Sequence, residues 1–343
     1  MNFKSSLPQM GIVLVQSACA VLITSSISLA AETVTIDNFI RAETDGYFSK
    51  QSDAGAFGKM AFESGPVPLD SQRVIRMNRD TIYGRGVFDL THPVTIVKPD
   101  TGKRFQSMVV FNQDHYIKLV AYKPGRYKLT REKFGTRYVF VNTRTLVDPN
   151  DPADVAAALK AQAAIKWEQK DQGKLELPDW NVEQRDKLRT ALLGLGPFVP
   201  DSKGMFGDVH EVDPVRRLLG AAGGWGGNRE KDALYVNVNP KANDGSTPHA
   251  LTVKDVPVDG FWSISLYNAK GFFEQNVNNA NSVNNITAKK NPDGSVTVHF
   301  GGDPKQSNYL AIVPGWNYMV RLYQPRKEIL DGKWKFPEAA PAK

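Results

Sequence analysis

The chain has 343 residues, a single cysteine and a formal net charge of +7 at pH 7. Its length is too great for one ordinary hydrophobic core and suits two domains with a connecting region. The cysteine, Cys19, lies in an N-terminal segment that we expect to be removed, which excludes disulfides, thiol nucleophiles and cysteine metal sites from the mature chain. Lysine and arginine are spread along the chain rather than gathered in a run, which argues against nucleic-acid binding and leaves anionic ligands open.

The first thirty residues predict a secretory signal peptide. Lys4 supplies a positive charge, residues 10–23 are mostly apolar, and Ser-Leu-Ala at 28–30 is a small-x-small cleavage site. A membrane anchor is the competing interpretation, but polar residues interrupt the apolar run before it reaches the roughly 18 residues that a span requires. Lipidation of Cys19 is a further alternative, against which the polar Gln16 argues. We therefore expect a periplasmic or secreted protein, cleaved after residue 30, with no stable membrane span.

Residues 31–150 predict a leading helix followed by a β domain. Apolar residues recur at helical spacing from Ile36 to Tyr47, and Gly46 is expected to weaken or end that helix. Between residues 86 and 142 the apolar pattern changes to that of strands, separated by Pro-Asp-Thr-Gly and Pro-Gly turns. Short strands at close spacing leave no room for crossover helices, so we predict an antiparallel sandwich or jelly roll.

Residues 151–232 predict a helical connector. A capping residue marks each of three helix starts: Asp151 and Asp213 precede prolines, and Asn181 forms a capping-box pattern with Gln184. The glycine-rich segment 220–228 has neither a phosphate-loop lysine nor the glycine spacing of a dinucleotide-binding turn. We interpret it as a flexible or tightly packed junction.

Residues 233–338 predict a second β domain. Strand patterns recur from Leu234 to Tyr323, and Asn-Pro-Asp-Gly at 291–294 predicts a hairpin. The asparagine-rich residues 275–285 are expected to form an exposed loop, and residues 337–343 a loose tail. The chain is thus predicted to be mainly β with helical insertions, as two jelly-roll-like antiparallel β domains joined by a helical segment.

Polar side chains are densest in residues 74–90, among residues that otherwise favour strands. If this stretch is a strand throughout, Arg76, Asn78 and Asp80 share one face while Arg79 takes the other. That arrangement suits an acid or base at Asp80 beside a cation that lowers its pKa, or a site for a carboxylate or a sugar. The structural alternative is a buried Arg-Asp network that ties this segment to a sheet.

His115 and the residues near position 210 are further candidates. His115 follows Asp114 at the start of a strand, where it suits acid-base work, a metal ligand or a plain surface position. His210, Glu211 and Asp213 offer three potential metal ligands, although Asp213 also fits a helix cap and no second histidine lies at ligand spacing. We assign no metal and no cofactor on this pattern.

Aromatic residues are frequent in the C-terminal strand patterns. Arg321 lies between Met319 and Tyr323 on one strand face, which suits an aromatic-lined pocket that contains a guanidinium. Five aromatic side chains fit either a core or a ligand-stacking surface: Trp262, Tyr267, Trp316, Tyr318 and Tyr323.

Two groups of residues carry a resemblance to a known pair of bacterial domains. The sequences Asn-Phe-Ile-Arg-Ala-Glu-Thr-Asp at 38–45 and Val-Ile-Arg-Met-Asn-Arg-Asp-Thr-Ile-Tyr at 74–83 resemble the domain of unknown function numbered 1254. The sequences Gly-Phe-Trp-Ser-Ile-Ser-Leu-Tyr at 260–267 and Tyr-Met-Val-Arg-Leu-Tyr-Gln-Pro at 318–325 resemble its usual C-terminal companion, numbered 1214. The resemblance implies paired jelly-roll-like domains with helical insertions, often self-associating and exported, and it implies no established reaction.

Two functions of different classes follow. The first is a self-associating, non-enzymatic binding or scaffold protein of the envelope, since the sequence has no hydrolase nucleophile elbow and no zincin motif. The second is a periplasmic enzyme acting on a small anionic or carbohydrate-like compound. The expected partners are accordingly a second copy of the chain or such a small ligand. The residues of the second function would be Asp80 as acid or base, Arg76 or Arg79 as its charge partner, and Tyr83 or His115 in assistance.

Overall fold

The computed structural model describes residues 1, 31–72, 75–199 and 201–342. Apart from residue 1, the predicted signal peptide lies outside these residues. Within the described ranges the chain has sixteen strands and six α-helices, which confirms the predicted class, mainly β with helical insertions. Residues Glu32–Lys343 pack as one compact unit.

Two antiparallel sheets form the N-terminal β region. Their strands are β1 (Ala61–Phe62), β2 (Thr81–Asp89), β3 (Val94–Lys98), β4 (Gln106–Asn112), β5 (Ile117–Ala121), β6 (Gly125–Leu129), β7 (Tyr138–Leu146) and β8 (Lys166–Gln169). The larger sheet has the order β1-β2-β7-β4-β5 and the smaller β6-β3-β8. Alternating apolar side chains from both sheets share one core, including Phe88, Val94, Ile96, Met108, Val110 and Val141.

Two further sheets form the C-terminal β region. Their strands are β9 (Ala233–Val238), β10 (His249–Val253), β11 (Trp262–Tyr267), β12 (Ser282–Asn284), β13 (Val296–Phe300), β14 (Tyr309–Leu310), β15 (Asn317–Tyr323) and β16 (Ala340–Pro341). One sheet has the order β14-β13-β10-β16 and the other β12-β11-β15-β9, with β13 and β14 paired in parallel. Their shared core includes Leu251, Ile264, Leu266, Val298, Phe300, Tyr318 and Val320.

The described ranges contain six α-helices, three of which begin where the sequence predicts a capping residue. They are α1 (Phe39–Asp53), α2 (Arg131–Phe134), α3 (Pro152–Ala163), α4 (Val182–Leu193), α5 (Pro214–Gly224) and α6 (Lys327–Leu330). Asp151, Asn181 and Asp213 each accept a hydrogen bond from a backbone N–H in the first turn of α3, α4 and α5. The three predicted helices between the β regions are confirmed. No helix in the described ranges combines the length and the apolarity that crossing a membrane requires.

The first helix differs from the prediction, because it continues through Gly46 to Asp53. A side chain at position 46 would place its Cβ 2.3 Å from the Arg185 guanidinium. The glycine therefore leaves room for the close approach of an arginine from α4, and it does not end the helix.

Three other predicted boundaries are wrong. The segment after residue 151 is not wholly helical, because β8 leaves it and pairs with β3 in the N-terminal region. The asparagine-rich stretch is not wholly an exposed loop, because it contains β12, where Asn284 is fully buried. The last residues are not a loose tail, because β16 pairs with β10. In each case a backbone partner distant in sequence supplies the hydrogen bonds that local sequence does not reveal.

Candidate functional site at a buried polar seam

One C-terminal sheet has an apolar face and a polar face. In β11, Trp262, Ile264 and Leu266 join the C-terminal core, while the alternate residues Ser263, Ser265 and Tyr267 point to the other side. In β15, Arg321 is the cross-strand partner of Ser263, so its guanidinium lies on the polar side. The Trp-Ser-Ile-Ser-Leu-Tyr alternation in the sequence was the signal for this polar face.

Residues 75–80 cover this polar face. Arg321 donates through Nη2 to the backbone carbonyls of Arg76 (2.9 Å) and Met77 (3.2 Å) and to the Tyr267 hydroxyl (2.7 Å). Its Nη1 donates to Ser265 Oγ (2.7 Å). We call this contact, between residues 75–83 and the polar face of the β12-β11-β15-β9 sheet, the seam. One guanidinium therefore joins the two β regions by hydrogen bonds across the seam.

Asp80 is the only acidic side chain of residues 75–83 and has no exposed surface. Its Oδ1 accepts a hydrogen bond from Asn284 Nδ2 (3.0 Å), and its backbone N–H donates to Asn78 Oδ1 (2.9 Å). Its Oδ2 is buried, and the Ser263 and Ser282 hydroxyls lie near the carboxylate. Burial raises the pKa of Asp80, and the charge of Arg321 with the Asn284 bond opposes that rise.

A second buried arginine extends the seam into the N-terminal sheet. Arg144 of β7 donates to Asn228 Oδ1 (3.0 Å) and to the Gly226 carbonyl (3.1 Å), and its guanidinium lies 5.5 Å from the Tyr83 ring centroid. Burial lowers the pKa of Arg144, but the tyrosines around it raise that pKa by more. Tyr83 makes the largest of these contributions and Tyr235 the next. The acceptors of this buried cation are thus an amide and a carbonyl.

The glycine-rich segment is a packed junction rather than a flexible link. Trp225 stacks on Tyr47 of α1 with ring centroids 4.3 Å apart, and its Nε1 donates to Thr44 Oγ1 (3.1 Å). Asn228 donates to the Tyr235 hydroxyl (2.7 Å) at the start of the C-terminal region. Sequence alone left both interpretations of this segment open, and its contacts decide for the packed one.

The structure brings some of the predicted site residues together and separates others. Arg76 meets the seam through its carbonyl and lies 5.8 Å from the Tyr267 ring centroid. Arg79 is buried, and its Nη1 donates to the Val67 carbonyl (2.8 Å) rather than to Asp80. Burial lowers the pKa of Arg79. Tyr83 lies on β2 between the guanidiniums of Arg85 (4.9 Å) and Arg144.

The predicted strand face of Arg76, Asn78 and Asp80 is wrong. Residues 75–80 form turns and bends, and β2 begins only at Thr81. Arg76 has a φ of 54°, a left-handed conformation that breaks the two-residue alternation of a strand. The three side chains do not lie in a row, and the cation beside Asp80 is Arg321, from the other end of the chain.

His115 belongs to a different cluster. It lies in the turn between β4 and β5 with a φ of 63°, and its Nε2 accepts a hydrogen bond from the Gly226 N–H (2.9 Å). Its ring stacks against Phe111 and Trp225, with centroids 5.5 and 5.2 Å away. Burial lowers its pKa to about 3, so the imidazole is neutral at physiological pH. The predicted surface position is wrong, because the side chain is 3% exposed.

The other candidates have structural partners. Glu211 pairs with Lys231, and Asp213 accepts from the N–H groups of Val215 and Arg216 as the cap of α5. The described residues include no group of three or more histidine, cysteine or acidic side chains placed to hold a metal ion. The five aromatic residues of the C-terminal strands are all buried: Trp262, Tyr267, Trp316, Tyr318 and Tyr323.

Sequence reasoning missed two buried acidic residues of α1. Glu43 is 1% exposed and forms an ion pair with Arg189 of α4. Asp45, also 1% exposed, accepts from Gln113 (2.6 Å) and from the Trp180 indole (2.9 Å), and burial raises its pKa. No periodicity marks these two residues, because their partners lie on the β4–β5 turn and on α4 or the residues just before it.

These features define a mainly β protein whose two β regions meet at a buried polar seam. Residues 233–327 match the model of a family described as a protein of unknown function, DUF1214. This range includes both of the C-terminal sequences that resemble the domain numbered 1214. No match was found among curated proteins.

Two solved structures are similar to this chain. One is the crystal structure of the VPA0106 protein from Vibrio parahaemolyticus, with a TM-score of 0.70 and 15% identity over 90% of this chain and 98% of that one. The other is an uncharacterized protein from Burkholderia cenocepacia, with a TM-score of 0.48 and 14% identity over 84% of each chain. At this level of identity the first likeness shows the fold alone.

Proposed function

We propose that the chain is an exported β protein of the cell envelope that self-associates and acts as a scaffold or binding protein rather than as a catalyst. The observation that carries this proposal is the closure of the seam. Asp80 has no exposed surface, Arg321 is 3% exposed, and the hydrogen bonds of both go to groups of the chain itself. Catalytic groups must reach a substrate, whereas groups that hold two β regions together need only each other.

The export and the domain division belong to the same proposal. The signal-like residues 1–30 support delivery to the periplasm, followed by a 1254-like region to residue 150, a connector to residue 232 and a 1214-like region to residue 338. A chain without cysteine after cleavage suits an oxidising compartment, because it has no thiol to mispair.

Self-association is supported by an apolar turn on the surface. Leu193 and Leu195 are each 48% exposed and Phe198 is 82% exposed, all within six residues at the end of α4. Contiguous exposed apolar side chains mark interaction surfaces more often than chance, and a second copy of the chain is the partner we assign.

The test is the mass of the mature protein in solution. The full chain is expressed in a Gram-negative host, the periplasmic fraction is purified, and its N-terminus and its mass by light scattering are measured. We expect Ala31 at the N-terminus and a mass that is a multiple of the monomer. Phe198→Ser should lower that mass, whereas Val277→Ser, at a fully exposed valine elsewhere, should not. A strictly monomeric protein that turns over a substrate would overturn the proposal.

One observation favours the enzymatic alternative. Asp80 has a raised pKa and a buried carboxylate, which are properties of a general acid. On that view a small anionic or carbohydrate-like substrate would have to open the seam. If a substrate were found, Asp80→Asn would have to abolish turnover in a folded preparation. Unchanged turnover would remove Asp80 from catalysis.

A further inference from the structure

Four polar side chains form a square on one face of the larger N-terminal sheet. Tyr83 of β2 is the cross-strand partner of Arg144 of β7, and Arg85 is the partner of Asn142, two residues along the same strands. Residues two apart in a strand share a face, so all four side chains lie on the face that meets Asn228 of the junction. Tyr83 and Arg85 are partly exposed, whereas Asn142 and Arg144 are each 6% exposed. The square therefore runs from the surface into the interior.

Arg144 is the arginine of the square whose charge is not neutralised. It forms no ion pair with a residue of the described ranges, and its hydrogen bonds go to an amide oxygen and a backbone carbonyl. Arg85 is already paired with Glu63. Asp232, the acidic residue just before β9, is likewise paired with Arg229. A buried guanidinium that has lost its water without gaining an anion is costly, so this position favours the binding of one negative charge.

Two tyrosine hydroxyls near Arg144 each have a proton to donate. The Tyr235 hydroxyl accepts from Asn228 Nδ2 (2.7 Å), and the Tyr323 hydroxyl accepts from Asn78 Nδ2 (3.0 Å). Neither hydroxyl donates to an acceptor in the part of the chain that the structure describes. Burial raises the pKa of both tyrosines, and the charge of Arg144 opposes that rise, so both keep their protons at neutral pH. Two hydroxyl donors beside a cation are groups from which a carboxylate accepts hydrogen bonds.

Asn142 adds a buried acceptor to the square. Its Oδ1 accepts no hydrogen bond from any residue within the described ranges. A sulfate or a phosphate dianion would bring more than the one negative charge that Arg144 lacks. A simple carboxylate would bring no donor for the Asn142 oxygen. A small hydroxy acid brings one carboxylate for the cation and one hydroxyl for the amide oxygen, so this class of ligand matches the polar groups present.

We propose that this cluster binds a small hydroxycarboxylate, whose carboxylate lies against Arg144 and the hydroxyls of Tyr235 and Tyr323. The hydroxyl of the ligand donates to Asn142 Oδ1, and the ligand enters at the partly exposed end of the square. The proposal depends neither on self-association nor on catalysis by Asp80. It places the small anionic ligand at Arg144 instead of at Asp80.

The experiment is a calorimetric titration of the mature protein with glycolate, L-lactate, acetate and sulfate at constant ionic strength. We expect glycolate or lactate to bind with a dissociation constant of about 1 mM or tighter. Acetate has no hydroxyl to donate to Asn142, so it should bind at least about tenfold more weakly. Sulfate should bind no more tightly than acetate.

The deciding variant is Tyr323→Phe, which removes one donor and keeps the ring stacked on Phe261. Asn78, which donates to that hydroxyl, also donates to Thr81, so it keeps a partner. We expect Tyr323→Phe to weaken the binding of the hydroxy acid about tenfold, because a hydrogen bond to a charged group is lost. Tyr309→Phe, at a partly exposed tyrosine of β14, is the control and should bind as the wild type does.

Arg144→Gln removes the cation and should abolish the binding. The melting temperature of each variant shows that it is folded, and Tyr323→Phe decides if Arg144→Gln does not fold. The proposal is overturned if neither hydroxy acid binds at about 10 mM, if acetate or sulfate binds as tightly as both, or if folded Tyr323→Phe binds as tightly as the wild type. The mass measured by light scattering should not change in Tyr323→Phe, so this result separates the site from the self-association proposed above.

Discussion

The seam and the surface next to β8 arrange polar side chains in opposite ways. In the seam, Arg321 and Asp80 are closed off from solvent and bonded to the chain. Next to β8, Lys170 and Asp171 are exposed to solvent and line an open hollow. The contrast teaches that a dense group of polar residues in a sequence can mark side chains that are buried and must be paired, whereas polar side chains that stay in water need no such pairing.

The first test of this comparison is a substitution in the glycine-rich junction, which packs beside the seam. Trp225→Ala removes a ring stacked 4.3 Å from Tyr47 and leaves Thr44 Oγ1 without its indole donor. We expect a loss of about 3 kcal/mol in the free energy of unfolding, measured by urea denaturation, because a large packed ring leaves a cavity. Trp334→Ala is the control. A loss below about 1 kcal/mol would mean that the junction does not belong to the closed region.

The pH dependence of stability tests the burial of His115, which packs against the same junction. Its pKa is about 3 in the folded protein and about 6.5 in an unfolded chain. As the pH falls below 6.5 the unfolded state takes up a proton that the folded state refuses, so the protein loses on the order of 1.4 kcal/mol per pH unit until about pH 3.

His115→Asn should flatten that part of the stability profile, measured by urea denaturation from pH 7 to pH 4. Asparagine tolerates the positive φ at this position. His210→Asn, at an exposed histidine, should leave the profile as it is. An unchanged profile for His115→Asn would show that His115 is solvated.

Asp80 is expected to give an effect of the opposite sign. Its pKa is raised on folding, so its carboxylate destabilises the native state at neutral pH, and the protein recovers stability as the pH falls through the folded pKa. The wild type should therefore gain stability relative to Asp80→Asn between pH 7 and pH 4, with Asp259→Asn as an exposed control. A loss relative to Asp80→Asn would instead mean that Arg321 holds Asp80 as a strong ion pair.

Local features of the fold were predictable because their physics is local. The caps at Asp151, Asn181 and Asp213 bond to N–H groups two or three residues away, and the alternation in β11 follows from the pleat of a strand. The same alternation put Ser263 and Ser265 on one face, although sequence reasoning did not use it.

The contacts that make the seam and the neighbouring His115 cluster were not predictable from one sequence. Arg321 and Arg76 are 245 residues apart, Asn284 and Asp80 are 204 apart, and Gly226 and His115 are 111 apart. No spacing rule connects such positions. Arg76 also has a left-handed backbone conformation, so the strand on which the predicted site face depended does not form there. Unlike glycine, arginine gives no sequence signal for a positive φ.

The most direct test of the seam is the stability of Arg321→Met beside that of Arg326→Met, measured by urea denaturation at pH 7. Arg326 forms an ion pair with Asp259 on the surface, so its loss should change the free energy of unfolding by less than about 1 kcal/mol. Arg321→Met leaves two backbone carbonyls and the Asp80 charge without their cation, and we expect a loss of about 3–5 kcal/mol. If Arg321→Met were as stable as Arg326→Met, the seam would not be what joins the two β regions.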